Sequence, residues 1–209
     1  MTRPRAALIW AGVMLAAGVP VAAVGFSPLL AWREPIYIAS GFAGAIGLAL
    51  MLVQPLLIGG YLPGFSPYQR RRMHQWIGAA LILAVIVHVL GLWITSPPDV
   101  VDALLFVSPT PFSVWGVVAM WAIFIVGLMV ALRHRLRLRP RTWRAAHTVL
   151  IVVIVIGTVV HGLLIEGTME TITKAMLCAL VLGGTLKVIS DKRVWKTQSR
   201  HAPSPDEAA

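Results

Sequence analysis

Polar residues are scarce along this chain and cluster, leaving six apolar stretches at 6–26, 36–58, 74–95, 112–132, 145–165 and 172–189. A helix needs about 20 residues to cross the hydrocarbon core of a bilayer, and each stretch is of that order. The last is the shortest and is expected to run past Lys187, whose aliphatic stem can carry its charge back to the interface. Backbone amides have no water to bond in lipid, so stretches of this length are expected to be helices. The two-residue alternation of a membrane barrel strand is missing. The pattern predicts an all-α fold: a six-helix transmembrane bundle over 1–189, then a polar tail over 190–209 that reads as disordered.

Composition agrees with the pattern. Of 209 residues, 58% are hydrophobic and 12% charged, against roughly 45–50% and 25% in a soluble domain. A net charge of +10 would suit a nucleic-acid binder if it formed one polar face. Here the basic residues are parcelled out between apolar runs, which excludes that class and fits loops that hold a membrane protein in one orientation. Arg3 and Arg5 ahead of the first apolar run resemble a secretory signal, but its length exceeds the usual 7–15 residues of a signal core, so a retained helix kinked at Pro20 is expected. Cys178 is the only cysteine, which removes internal disulfides and cysteine-based clusters from consideration. It reads as a small core residue.

Loop charges set the orientation. With the N-terminus placed in the cytoplasm, 16 of the 18 basic residues fall on that side and only Arg33 and Lys174 on the other, together with Glu34, Asp99, Asp102, Glu166 and Glu170. Both termini are therefore expected inside. The longest outer loop, 95–113, holds four prolines around a short apolar stretch with two acids, and reads either as a lid along the outer surface or as a plain loop.

The candidate chemistry lies in histidines. His134 and His201 fall in polar surroundings and read as solvated residues. His74 and His88 lie in the third apolar segment and His147 and His161 in the fifth, each pair fourteen residues apart. Fourteen helical steps fall about 40° short of four full turns and rise about 21 Å. Both members of a pair thus face nearly the same way, at different depths. The third and fifth segments run in the same direction, so His74 can face His147 near the cytoplasmic surface and His88 can face His161 deeper. Each facing pair can supply both axial ligands of one haem iron. A lone histidine in a membrane helix often only hydrogen-bonds a neighbour, but four in two matched pairs exceed what packing requires, and ionisable groups at this depth point to function. One shared zinc or copper ion would need its ligands clustered, and a proton relay would need acids that these helices lack before Glu166.

Neighbouring residues leave more than one reading. Gly78, Ala79, Ala80 and Gly157 could admit a flat porphyrin or simply let helices pack. Arg71, Arg72 and Arg144, with Arg70 and Arg141, could pair with haem propionates or serve only as topology signals. Trp76, Trp93, Trp115 and Trp143 lie near the expected interfaces, where an aromatic belt is the simplest role.

Arg71-Arg72-Met73-His74 with His88, and Trp143-Arg144-x-x-His147 with His161, resemble the ferric reductase-like transmembrane domain over roughly 36–189. That family includes ferric-chelate reductases, NADPH oxidases and the haem-binding membrane subunit of the bacterial periplasmic methionine-sulfoxide reductase system. The resemblance implies two haem b groups on His74, His88, His147 and His161, with electrons crossing to an acceptor on the outer face. It also implies a bacterial inner (plasma) membrane location. The large members carry a flavin and nicotinamide domain after the bundle, and here only about 20 residues follow the sixth apolar segment, with no dinucleotide fingerprint. The expected donor is therefore a separate soluble flavin reductase, a quinol, or a flavin (FMN or FAD) bound at the cytoplasmic face, and the acceptor a periplasmic redox partner.

Two other functions compete with this reading. A quinone-linked cytochrome b subunit of a respiratory complex also uses histidines about fourteen apart, though in the proteins that resemble this one they lie on the second and fourth helices. A haem-free transporter or assembly subunit would show broken helices and buried acids, which the third to fifth segments lack.

Overall fold

The computed structural model describes residues 3–191; most of the tail expected to be disordered, from 192 on, lies outside the described residues. Six helices are long and apolar enough to cross a membrane: α1 (Arg3–Val24), α2 (Pro35–Gly59), α3 (Pro67–Thr95), α5 (Pro111–Ala131), α7 (Pro140–Leu164) and α8 (Thr171–Asp191). Two short helices, α4 (Pro97–Leu104) and α6 (Arg133–Leu136), lie in the connections. No strand occurs among the described residues.

Proline sets the helix starts. α2, α3, α5 and α7 each begin on one, because its fixed φ suits the first turn and its missing N–H would be unpaired there anyway. α3 and α7 consequently start at Pro67 and Pro140, earlier than the apolar runs at 74 and 145, since charged residues extend each helix beyond the hydrocarbon. A capping box reinforces the α3 start: Gln69 accepts from the Ser66 N–H at 2.8 Å and its own N–H donates to the Ser66 hydroxyl. His74 and His147 each lie seven residues after the opening proline, so the two helices are in register. α2 stops at Gly60, where a φ of +83° suits glycine.

α3, α2, α8, α7 and α5 pack in a closed ring, each against the next and α5 back against α3, while α1 leans on α2 and α8. All five ring helices contribute to one buried cluster, including Leu48 and Leu52 of α2, Leu81 of α3, Ile123 of α5, Ile154 and Val155 of α7, and Leu177, Cys178 and Val181 of α8. The two histidine-bearing helices are not neighbours in the ring. They stand across it. The 95–113 segment contributes α4, which packs on α3 and α5 instead of forming a plain loop.

Candidate functional site

The ring brings the four histidines together in two facing pairs. The ring centres of His74 and His147 are 6.4 Å apart at 72°, and those of His88 and His161 are 6.5 Å apart at 81°. Fourteen helical residues separate the pairs by about 21 Å. Halfway between them, at the same heptad spacing on each helix, stand Leu81 and Ile154, both in the buried cluster. His134 lies apart, in α6 at the basic end.

Backbone carbonyls orient the upper pair, at the end away from the basic loops. His88 Nδ1 lies 2.8 Å from the Ser40 carbonyl oxygen of α2, and His161 Nδ1 lies 2.9 Å from the Phe112 carbonyl oxygen of α5. A carbonyl can only accept, so Nδ1 carries the proton in both rings and the Nε2 lone pair is free. The Ser40 hydroxyl also donates to the His88 carbonyl at 2.6 Å, which fastens α2 to α3. One turn beyond each carbonyl stands a glycine. A Cβ at Gly44 would lie 3.0 Å from His88 Nδ1, and one at Gly116 would lie 2.6 Å from His161 Nδ1, so the His161 ring fills space that only glycine leaves and the His88 ring packs tightly against its glycine. Carbonyl, glycine and histidine thus recur in α2–α3 and α5–α7, a structural repeat that the sequence shows chiefly as the histidine spacing.

The lower pair breaks the repeat. Fourteen residues on from Ser40 stands Gln54, whose side-chain amide contacts His74 Nδ1. Fourteen on from Phe112 stands Val126, which offers no polar atom, and His147 Nδ1 is buried without a hydrogen-bond partner among the described residues. His147 packs instead beside Trp143, the rings stacked at 8° with centres 6.3 Å apart, and the Arg133 guanidinium lies over Trp143. Trp143 thus does more than sit at an interface, because residues four apart share a helix face. Trp76, Trp93 and Trp115 are exposed, as a lipid-facing belt requires.

The small residues divide by position. A Cβ at Gly157 would lie 2.9 Å from the Trp115 carbonyl oxygen and 3.1 Å from the Ala119 Cβ, so Gly157 serves the contact of α7 with α5. One at Gly78 would lie 3.1 Å from the Gln54 side chain, which places it against α2. Ala79 and Ala80 are exposed. Arg71, Arg72 and Arg144 are exposed at the basic end. Arg71 and Arg72 line an open groove of about 650 Å³ with Tyr68, Gln75 and Trp76.

Gly44, Gly116, Ser40, Phe112 and Gln54 escape a reading of the sequence. The one available signal is that Ser40–Gly44 and Phe112–Gly116 share a four-residue step, and it is too common to single out. Among the described residues no three His, Cys, Asp or Glu side chains gather as metal ligands. The site offers two-ligand pairs. A family model described as ferric reductase like transmembrane component matches residues 40–158, a span that holds His74, His88 and His147 and stops just short of His161. Comparison with curated proteins and with solved structures finds no match.

Proposed function

The chain belongs to the ferric reductase-like transmembrane family, and on that premise we propose that it carries electrons across a membrane through two b-type haems. One is held between His74 and His147, the other between His88 and His161. The spacing of the rings carries this reading. A metal–imidazole bond is about 2.0 Å long and the ring centre lies roughly 1.1 Å behind the nitrogen, so two imidazoles on opposite faces of one ion would have centres about 6.2 Å apart. The observed 6.4 and 6.5 Å fit that value. Each pair supplies two ligands and no more, which suits an ion whose other positions a macrocycle fills. In the upper pair the Nδ1–carbonyl bonds leave Nε2 as the ligating atom and raise its basicity.

Bound haem supplies a one-electron couple. The chain's own residues hold and orient it: Ser40 and Phe112 fix the upper imidazoles, Gln54 steadies His74, and Leu81 and Ile154 keep water from the space between the pairs. With a histidine from each side, either pair would fill both remaining positions of a bound haem iron, which favours electron transfer over direct oxygen chemistry. In this reading both termini and the basic loops face the cytoplasm of a bacterial cell. A soluble flavin reductase, a quinol or a flavin delivers electrons there, and a periplasmic redox partner receives them on the other face. Arg71, Arg72 and Arg144 are the candidate propionate partners at the donor side.

The test is a reduced-minus-oxidised spectrum of the purified protein with a haem-to-protein ratio. Two haems per chain are expected, with H88A or H161A losing one and keeping the other. A colourless preparation from haem-replete cells sinks the proposal. Reduction by a quinol and not by a flavin reductase would favour the respiratory cytochrome b alternative.

A further inference from the structure

Lys174 is the one buried charged side chain among the described residues, 5% exposed. α8 turns it inward at the head of a stripe continued by Leu177, Cys178, Val181 and Thr185, and the apolar members of that stripe belong to the ring's core. Its Nζ donates to the Ile165 carbonyl at 2.7 Å, just past the end of the helix that carries His161. An ammonium has three donors, and no ion pair with it exists among the described residues. The nearest acid in the chain, Glu170, is exposed and uses its two carboxylate oxygens on the N–H groups of Ile172 and Thr173. Burying a cation costs far more than one neutral carbonyl returns. An arrangement of this kind is stable when an anion arrives.

We infer that Lys174 is the anion site at the His88/His161 end of the ring, and that it takes a propionate carboxylate of the haem held there. The inference rests on the two-haem reading above. It differs from Arg71, Arg72 and Arg144 of the basic end in kind: those are exposed, whereas Lys174 is buried inside the ring with no salt bridge among the described residues. An ammonium beside a haem favours the reduced state, so its loss lowers the midpoint potential of that haem.

Spectroelectrochemical titration of the purified protein tests this with K174M, K174Q and K174R. K174Q keeps a donor for the Ile165 carbonyl without the charge. In K174M and K174Q one of two one-electron transitions should move to lower potential by about tenfold in the reduced-to-oxidised ratio, 59 mV for a one-electron couple. The other transition should stay, and K174R should behave as the wild type. Haem loss to excess apomyoglobin gives a second readout. K174M should release one haem about tenfold faster, whereas haem dimethyl ester, which lacks free carboxylates, should leave wild type and K174M at the same rate. K174Q matching the wild type in both readouts would make Lys174 a cap for α7 and overturn the inference, as would an ester that leaves K174M faster than wild type. Collapse of K174R as well as K174M would do the same. Wild-type protein without haem refutes the two-haem reading itself; two haems indifferent to Lys174 refute this inference alone.

Discussion

His161 Nδ1 lies 2.9 Å from the carbonyl oxygen of Phe112, and Gly116, one turn further along α5, leaves the room that the imidazole fills. A backbone carbonyl is a durable partner because no side-chain substitution removes it. What a substitution can do is take away the space.

G116A places a Cβ 2.6 Å from His161 Nδ1, whereas G44A places one 3.0 Å from His88 Nδ1. G116A is therefore expected to cost the protein one haem and G44A to weaken binding without abolishing it. Haem-to-protein ratios of the two variants check this. Two full haems in G116A would mean that the ring can move aside.

Among the described residues, Gln54 is the only side chain that hydrogen-bonds a histidine Nδ1 of the lower pair. Partners of this kind are worth about 10–100-fold in ligand affinity. Q54L should speed release of one haem by about tenfold and leave the second unaffected. A V126Q substitution, which places an amide at the corresponding position of α5, is expected to slow release. Loss rates to a haem scavenger decide both.

At the start of α8 the N–H groups of Thr173 and Ile172 bond the Glu170 carboxylate at 2.7 and 2.8 Å and hold its carboxyl below the usual carboxylate range. The ionised form is thus the one favoured by folding. Its contribution is present above the ordinary carboxylate pKa and is lost as pH falls through the lowered value. E170A should melt at a lower temperature than the wild type at neutral pH, with the difference closing in acid. A constant difference across the pH range would contradict the capping role.

Gly157 sits where α7 meets α5, 2.9 Å from the Trp115 carbonyl oxygen by its missing Cβ. G157L should destabilise the bundle by about 1–3 kcal/mol through overpacking, and it should disturb the upper histidine pair more than the lower, because His161 lies one turn away. Thermal unfolding followed by circular dichroism, alongside the haem spectrum, separates the two effects.

The sequence alone determined the six spanning helices and the alignment of His74 with His88 and of His147 with His161. Both rest on local geometry, namely the length a bilayer demands and the angle a helix turns in fourteen residues. It also carried the prolines that open α3 and α7, although the apolar runs at 74 and 145 mask those starts behind arginines. Only the tertiary structure decided that α3 and α7 stand across a five-helix ring and that Ser40, Gly44, Phe112, Gly116 and Gln54 are the residues around the imidazoles. It also decided that Lys174 points inward. Each of these depends on which helix lies beside which and at what rotation, and hydrophobic periodicity carries little of that in a membrane, where the lipid-facing and core-facing sides of a helix are almost equally apolar.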